Sequence, residues 1–439
     1  MTTILAFLFV LGVLVFVHEL GHFLAARRVG VRVLTFSLGF GPKILRFTRG
    51  DTEYCVSAVP LGGYVKMAGE NPDDPRSGQP DEFMSKTKWE RFQILIMGPV
   101  MNIALAVVVL AFVFSQGVAE AVYHEEPPIV ADVVAGSPAE QVGIRPGDRI
   151  LTVAGGQVDT WDDLLLAVGT RPDRDVALTL LRDGRTEALT VRSEGEGRYE
   201  IGTIGVLPDT HPIVDSVVPG DIAEKAGLRA GDQVLVINGK RIYTGTQFKE
   251  TIESHGGREM RITVRRGGRE MEFPATPVDK GDGAKLGLYI GELSRSFTPG
   301  PLEAIRLSVE RNIESSGLIF RTLGGLFTGE TPIRQLQGPV GIAQMSGEYA
   351  QGGFIALLSF MAMLSINLGI LNLMPVPVLD GGHIVILMLE GIARRDFSVR
   401  VKEKMLLAGF VVLMMLIVTV IYHDLTRISW IENLMPWRN

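Results

Sequence analysis

Four stretches of this sequence are long and apolar enough to cross a lipid bilayer, and they limit the possible folds more than any other feature. They lie at roughly 4–24, 93–117, 353–374 and 404–422. A transmembrane helix needs about 20 predominantly apolar residues. A further stretch at 301–327 is amphipathic and carries several charged side chains, so we expect an interfacial helix there. We therefore predict an α-helical polytopic membrane protein with four transmembrane helices.

The composition agrees with apolar spans joined to ordinary soluble modules. Of the 439 residues, 46% are hydrophobic and only 21% are charged. The formal net charge of −6 is mild and indicates no nucleic-acid partner. Cys55 is the sole cysteine, which excludes an intramolecular disulfide. The sequence starts M-T-T, with no basic residue before the first apolar run, so we interpret that run as a retained span and not as a cleaved signal peptide.

Lysine and arginine residues predict which loops face the cytoplasm. The loops at 25–92 and 375–403 are basic, and short basic loops stay on the cytoplasmic side of a membrane. The segment at 118–350 and both termini are then expected on the outer side. The first and third spans consequently run in the same direction and end on the cytoplasmic side.

The outer segment contains an internal repeat. V-V-A-G-S-P-A-E-Q-V-G-I-R-P-G-D begins at Val133, and V-V-P-G-D-I-A-E-K-A-G-L-R-A-G-D begins at Val217, 84 residues later. A duplicated unit of this length predicts two small domains, not a solenoid of short repeats. Each copy has alternating apolar strands, Gly-Asp turns and a short helix, at Pro138–Val142 in the first and Ile222–Ala226 in the second.

The two copies resemble PDZ domains, α+β domains whose groove binds an extended peptide by strand addition. The short runs Ile201–Gly205 and Leu286–Tyr289 follow the copies, as the carboxylate-loop strand does in the circularly permuted bacterial form. The resemblance implies that the pair binds a peptide or a newly exposed C-terminus. The alternatives are a filter that excludes substrates with bulky outer domains, and a purely structural spacer.

Three ionisable residues, His18, Glu19 and His22, lie within the first span in the stretch F-V-H-E-L-G-H. The unbroken apolar run before them, Ile4–Val17, covers roughly 20 Å at about 1.5 Å per residue, less than the roughly 30 Å of a bilayer core. The three residues therefore lie below the bilayer surface, nearer the cytoplasmic side, where buried ionisable groups are costly and usually functional.

The spacing of these residues is that of a zinc-binding H-E-x-x-H motif. His18 and His22 lie one helical turn apart on the same face, so both imidazoles can reach one metal ion. Glu19 lies beside them, where it can act as a general base. Zinc suits such a site because it lowers the pKa of a bound water and polarises a carbonyl. A chance occurrence of the motif would leave an unpaired carboxylate in hydrocarbon.

A catalytic zinc site of this kind needs a third protein ligand. Because the first and third spans end on the same side, we look for it in N-L-G-I-L-N-L-M-P-V-P-V-L-D-G-G-H, where Asp380 is the best candidate. The alternative is that Asp380 only caps a helix at 384–393. His383 is a second possible ligand, which we expect outside the direct ligand set. Asn372 is expected either to bind a substrate carbonyl or oxyanion, or to form an interhelical hydrogen bond.

These motifs together resemble the site-2 protease family of intramembrane zinc metalloproteases. H-E-L-G-H in the first span, N-x-x-P-x-P-x-L-D-G-G in the third and the tandem PDZ-like repeats between them carry the resemblance, which covers essentially the whole chain. It implies one Zn²⁺ per chain, held by His18, His22 and Asp380, with Glu19 as the base. It also implies a bacterial inner-membrane protein whose substrates are transmembrane helices already trimmed by another protease, such as an anti-sigma factor or remnant signal peptides.

A helical substrate must unwind before it can be cut, and its extended form needs new hydrogen-bond partners in a dry site. Residues 34–68 contain two β-rich runs with a turn at Arg49-Gly50-Asp51, followed by Gly62 and Gly63. We predict a membrane-associated β-hairpin with an edge strand near the metal, the alternative being a simple cytoplasmic hairpin. Gly62, Gly63, Asn372 and Pro375 are the candidate substrate-binding residues.

Two other classes of protein remain alternatives to an endopeptidase: a membrane-anchored scaffold with a vestigial metal site, and a transporter that uses the histidines as a proton relay.

The predicted division of the chain assigns 1–26 to the first span, 27–92 to the loop with the hairpin, 93–117 to the second span, 118–207 and 208–292 to the two PDZ domains, 293–352 to an interfacial helical region, 353–380 to the third span, 381–403 to a cytoplasmic helix and loop, 404–424 to the fourth span and 425–439 to a C-terminal tail.

Overall fold

The structure is a computed structural model that describes residues 2–70, 78–197, 200–279, 281 and 283–426. The predicted C-terminal tail lies outside the described residues from position 427 onward. The chain forms two compact units. The first consists of the described parts of 1–117, 298–324 and 336–439, and the second of those of 118–297 and 325–335.

In chain order, the described α-helices are α1 (Thr2–Arg28), α2 (Lys88–Ser115), α3 (Pro138–Gln141), α4 (Trp161–Gly169), α5 (Ile222–Ala226), α6 (Gly245–Ser254), α7 (Pro301–Thr328), α8 (Pro339–Gln351), α9 (Phe354–Leu373), α10 (Asp380–Ile392) and α11 (Val399–Thr426). Short 3₁₀ helices lie at Phe83–Ser85, Val122–Glu125 and Ile333–Gln335.

The described strands are β1 (Val33–Arg49), β2 (Thr52–Met67), β3 (Val118–Ala121), β4 (Asp132–Val133), β5 (Arg149–Val153), β6 (Gly156–Gln157), β7 (Asp175–Arg182), β8 (Arg185–Arg192), β9 (Glu194–Glu196), β10 (Ile201–Thr203), β11 (Val206–Leu207), β12 (Pro212–Val217), β13 (Gln233–Ile237), β14 (Lys240–Arg241), β15 (Met260–Arg266), β16 (Arg269–Ala275), β17 (Val278–Asp279), β18 (Ala284–Lys285), β19 (Leu288–Glu292) and β20 (Ser294–Phe297).

Four helices of the described chain, α1, α2, α9 and α11, are long and apolar enough to cross a membrane. The prediction of four such helices is therefore confirmed. The helix α7 covers the predicted amphipathic stretch and is not one of the four. Helix α2 begins at a capping box, in which the Thr87 side chain accepts from the Glu90 backbone N–H and the Glu90 side chain accepts from that of Thr87.

Small residues allow the helices of the first unit to approach closely. At Gly21 in α1, a side chain would overlap the Met97 carbonyl of α2, and at Gly369 in α9 it would lie 3.1 Å from the Pro99 carbonyl. In a lipid environment the hydrophobic effect does not drive helices together, so their association depends on van der Waals packing. Close backbone approach at small residues increases that packing. Helix α2 is therefore held tightly between α1 and α9.

The hairpin β1–β2 is antiparallel and turns at Gly50-Asp51, as predicted. Its strands are bent, so the start of β1 has partners in both halves of β2: Leu38 is opposite Gly63 and also opposite Val56. Residues 35–38 consequently lie inside the sheet, and residues 63–65 lie at its margin. Within the described residues, the backbone at 63–65 pairs with one strand only, which makes it an edge strand.

The second unit contains two modules of the same construction, which we call the first module (118–207) and the second module (208–292). In the first, β6-β5-β7-β8 form one sheet and β11 pairs with β4; in the second, the sheet order is β16-β15-β13-β12-β19. Alternate residues of β7 and β15 point into the cores, which enclose Trp161 and Phe248 of the helices α4 and α6. Both helices begin with a threonine cap, Thr160 and Thr244.

Each module holds a bidentate pair between a half-buried arginine and a buried aspartate at the same place. Arg182 donates from Nε and from a terminal guanidinium nitrogen to Asp148 at 2.8 and 2.6 Å, and Arg266 donates in the same way to Asp232, at 2.6 Å for both bonds. Burial alone raises the pKa of the Asp148 carboxyl, but hydrogen bonds from Arg182 and from the Arg145 backbone N–H lower it below its ordinary value. The Gly-Asp turns of the repeat are therefore anchored to the sheet.

A short segment of the second unit, Gly329–Gln335, lies along the first module. Gln335 Nε2 donates to the backbone carbonyls of Gly169 and Glu200, at 3.1 and 3.0 Å. Arg334 donates to Asp173 at 2.5 Å and is also paired with Glu200. The segment is thus attached to the end of α4 and to the loop before β10.

Candidate metal centre

His18 and His22 lie one turn apart in α1, and both are buried. Their Nε2 atoms are 3.2 Å apart, and their rings meet edge to face. The regular helix therefore brings the two imidazoles together, as their i, i+4 spacing predicts. His22 is fixed from its other side, because its Nδ1 lies 2.8 Å from the carbonyl oxygen of Ile94 in α2.

Asp380 meets the two histidines from the start of α10. Its Oδ2 lies 3.2 Å from His18 Nε2 and 3.5 Å from His22 Nε2. Helix α10 begins at Asp380, so this residue lies in the first turn and does not cap a helix that starts at 384. Gly381 and Gly382 pack directly on the backbone at Leu373 and Val376, where any side chain would overlap the chain. The tight turn after α9 thus carries the carboxylate back to the histidines.

The three donor atoms have the spacing that zinc requires. Zinc–ligand bonds of about 2.0–2.1 Å at tetrahedral angles place neighbouring donor atoms roughly 3.3 Å apart. The three distances here are 3.2, 3.2 and 3.5 Å. Among the residues that the structure describes, these three form the group of ligand atoms that lie within 4.8 Å of one another. Two imidazoles and a carboxylate on the faces of helices that meet in an apolar bundle fit a zinc ion.

Glu19, the candidate base, is buried beside His18 and packs against the edge strand of the hairpin. At Gly63, a Cβ atom would lie 2.9 Å from Glu19 Cγ and 2.9 Å from Val15 Cγ1. The absence of a side chain at position 63 therefore gives Glu19 its space. Gly62 precedes it with a φ of +146° and lies under the ring of Phe40. Both predicted glycines accordingly lie at the strand that faces α1.

Of the other predicted site residues, Asn372 lies close to His18, whereas Pro375 and His383 are exposed. Asn372, near the end of α9, is partly buried, and its Nδ2 lies 3.5 Å from His18 Nδ1. Pro375 is exposed in the turn between α9 and α10. His383 is exposed, and among the described residues the converging ligand atoms are those of His18, His22 and Asp380.

Helix α2 contributes two residues that the sequence reasoning missed. A side chain at Gly98 would overlap His22 Nε2 and lie 2.9 Å from His18 Cε1, so Gly98 leaves room for both rings. Asn102 is fully buried, with Nδ2 3.3 Å from His18 Nδ1. Its backbone carbonyl accepts a 2.7 Å hydrogen bond from Ser365 in α9. An isolated asparagine inside an apolar span was the signal that could have revealed it.

Comparison with known proteins identifies a family for the chain. The profile of peptidase family M50 matches residues 6–416. A Vibrio cholerae protein whose name describes it as a zinc metalloprotease is 33% identical over 97% of this chain and 98% of its own length. The regulator of sigma-E protease RseP of Escherichia coli is 32% identical over 96% of this chain and 98% of its own length.

One solved structure, the PDZ domain of an SdrC-like protein from Listeria monocytogenes, is 23% identical, with a TM-score of 0.18, over 20% of this chain and 93% of that one. The family match and the near full-length relatives cover the site and its scaffold together. The four apolar helices agree with an integral membrane protein. The chain therefore belongs to peptidase family M50, the site-2 protease family that its motifs resemble, and it is a zinc metalloendopeptidase.

Proposed function

We propose that this protein cleaves the transmembrane segments of single-span membrane proteins that another protease has already trimmed. The observation that carries the proposal is the convergence of His18, His22 and Asp380 at zinc-ligand spacing between helices that are apolar enough to cross a membrane. The substrates are proposed to be an anti-sigma factor, remnant signal peptides or both. The relatives named as regulators of sigma-E protease support the first of these.

In the proposed mechanism, one zinc ion per chain is held by His18, His22 and Asp380. Bound there, zinc supplies a Lewis acid that polarises a carbonyl and lowers the pKa of a water molecule. Glu19 takes the proton from the attacking water and delivers it to the leaving amine. Asn372, whose amide lies beside His18, donates a hydrogen bond to the carbonyl oxygen as negative charge develops on it.

The edge strand at 63–65 is proposed to hold the unwound substrate. A peptide taken out of helical conformation in a dry site must satisfy its backbone N–H and C=O groups elsewhere. The unpaired side of this strand offers such groups beside Glu19. Addition of the substrate as a further strand would fix the scissile peptide relative to the base. Gly62, Gly63 and Pro375 would line the path of that peptide.

We place the site on the cytoplasmic side of a bacterial inner membrane, with the two modules outside. The basic loops at 25–92 and 375–403 support this orientation. The second module has a cavity of about 500 Å³ between α6 and β19, lined by apolar side chains that include Phe248, Ile252 and Leu286. The cavity supports binding of a peptide C-terminus, in the PDZ manner, by this module.

The catalytic proposal is tested with purified protein reconstituted in liposomes with a single-span substrate. Wild type should yield a peptide product whose ends, read by mass spectrometry, lie within the span. Glu19→Gln should bind zinc at the wild-type stoichiometry and yield no product. A normal cleavage rate in this variant would contradict the mechanism. Ion flux without any product would indicate a transporter, and zinc binding without product in wild type would indicate a scaffold.

The role of the second module is tested separately, with trimmed substrates that differ in their final residue. Val218→Lys should weaken binding of a peptide with an apolar C-terminus and slow cleavage of the corresponding substrate, because Val218 is an exposed apolar residue of the cavity lining. Met271→Lys is the matched control, because Met271 is an exposed apolar residue of β16 outside the cavity lining. If cleavage depends only on the size of the substrate's outer domain and not on its C-terminus, the modules act as a filter.

A further inference from the structure

Asn102 presents an unusual combination of burial and unsatisfied polarity. Its side chain is fully buried in α2, in the centre of an apolar bundle. Its Oδ1 has no hydrogen-bond partner among the described residues. Leaving a buried amide oxygen unpaired costs about 1–3 kcal/mol. Its Nδ2, by contrast, faces the Nδ1 of His18 at 3.3 Å.

The geometry of His18 decides which of its nitrogens is protonated. Its Nε2 faces Asp380 and His22, at 3.2 Å from each donor atom, so Nε2 is the atom available to the metal. A neutral imidazole that offers a lone pair at Nε2 carries its hydrogen on Nδ1. That hydrogen needs an acceptor, and metal-binding histidines almost always donate it to a carboxylate, a carbonyl oxygen or a water molecule.

His22 already shows this arrangement. Its Nε2 faces the same group of donor atoms, and its Nδ1 lies 2.8 Å from the backbone carbonyl of Ile94, an oxygen that can only accept. For His18 the matching position is occupied by the Asn102 amide. Turning that amide by 180° exchanges two ends of equal size. The turn gives the His18 Nδ1–H an acceptor and gives the unpaired Oδ1 a donor.

We propose that Asn102 is a positioning residue: its Oδ1 accepts a hydrogen bond from the Nδ1–H of His18 and so holds the Nε2 lone pair towards the zinc. This inference rests on the proposed zinc site. The backbone of Asn102 is itself fixed by the Ser365 hydroxyl, at 2.7 Å. Helix α2 therefore orients both imidazoles, through Ile94 for His22 and through Asn102 for His18. Asn372, at 3.5 Å from the same nitrogen, remains available to the substrate.

The test measures zinc affinity of the full-length protein in detergent, by competition with a chromophoric chelator. Asn102→Leu keeps the size of the side chain and removes the acceptor, so it should weaken zinc binding by about 10–100-fold. Asn102→Asp keeps an oxygen acceptor and should bind zinc nearly as tightly as wild type. Asn312→Leu is the matched control, because Asn312 is a buried amide in α7 that bonds to Ser308; its zinc affinity should be unchanged.

A direct readout comes from the ¹⁵N shifts of the His18 ring in zinc-loaded protein, which should show Nδ1 protonated. Wild-type zinc affinity in Asn102→Leu would overturn the proposal. So would an equal loss in Asn102→Asp and Asn102→Leu, since it would show that the amide acts as a donor. If Asn102→Leu does not fold, the aspartate variant and the ring shifts decide. Absence of zinc from wild type would instead contradict the proposed function itself.

Discussion

Gly63 of the edge strand lies directly against Glu19 of α1. A Cβ atom at position 63 would come within 2.9 Å of Glu19 Cγ and 2.8 Å of the Ser37 carbonyl oxygen. Both distances are shorter than ordinary van der Waals contacts. The conformation of Glu19 and the position of the strand are therefore coupled at a single residue.

Gly63→Ala should slow cleavage by about 100-fold, because a shift of the base or of the strand by about 1 Å misaligns the reacting groups. Zinc content should remain at the wild-type level, since the three atoms nearest to a Cβ at position 63 belong to Ser37, Glu19 and Val15 and not to a zinc ligand. Cleavage assays on reconstituted protein and metal analysis of the same samples check both expectations. Cleavage at the wild-type rate would show that the strand and Glu19 move independently of each other.

Asp380→Asn should lower zinc affinity by at least about 100-fold, because it removes the negative charge from the ligand set. Loss of a residue that only contacts a ligand typically costs about 10–100-fold in affinity, and loss of a ligand should cost at least as much. Chelator competition measures the change. His383→Gln is the matched control three residues further along α10, exposed and outside the ligand group, and it should retain zinc. Equal zinc affinity in Asp380→Asn and wild type would remove Asp380 from the ligand set.

Asp232→Ala should destabilise the second module by about 3 kcal/mol, because it leaves Arg266 without its buried partner. Hydrogen exchange on the full-length protein should show faster opening of β13 and β15, with the first module unchanged. Glu270→Ala removes an exposed pair with Arg265, at 3.5 Å in the same module, and should cost less than about 1 kcal/mol. Similar effects of the two variants would contradict a special role for the buried pair.

The linker between the modules should loosen as the pH rises from about 6.5 to about 9. A hydrogen bond to Asp209 raises the pKa of His211 to about 9, against the opposing effect of burial, and Glu126 of the first module adds to the rise. Because the pKa of His211 is higher in the folded protein, protonated His211 stabilises the linker fully below its unfolded pKa of about 6.5. This stabilisation is lost as the pH rises through the folded pKa. Hydrogen exchange of the backbone near 209–211 measures the opening of the linker.

His211→Ala is the control for this pH dependence. The variant should show the looser linker at every pH in that range, and its exchange should no longer change between about 6.5 and 9 beyond the intrinsic rate. A pH-dependent step that survives in the variant would assign the effect to another group. Burial raises the pKa of Asp209, but hydrogen bonds that it accepts from the side chain and backbone of His211 lower it below its ordinary value, so its contribution is lost only in acid.

Much of the fold could be predicted because its signals are local. The four apolar runs, the turn at Gly50-Asp51 and the 84-residue repeat depend on hydropathy and on turn chemistry within short windows. The pairing of His18 with His22 follows from helix geometry alone. Asp380 required one further step, the orientation of two distant spans, which the basic loops supplied.

The remainder of the site depends on packing between elements that are far apart in the sequence. Gly98 and Asn102 matter because α2 crosses α1 at the histidines, and no periodicity within α2 reveals that crossing. The bent hairpin, whose first strand pairs with both halves of the second, likewise has no signature in an alternating pattern. In the sequence, Arg182 and Arg266 cannot be distinguished from surface arginines. Their pairing with Asp148 and Asp232 depends on how the turns pack against the strands.

The edge strand at 63–65 offers backbone groups and, at Gly63, no side chain at all. Strand addition depends on main-chain hydrogen bonds, and the main chain is the same in every peptide. On the proposed mechanism, such an edge therefore distinguishes little between substrate sequences. Discrimination then shifts from what the substrate's residues are to how readily its helix opens there. Glycine, proline or polar residues within a span lower that opening energy, and a stable leucine-rich helix raises it. On this mechanism, the protease would select its substrates by the free energy needed to unwind their helix at the cleavage site.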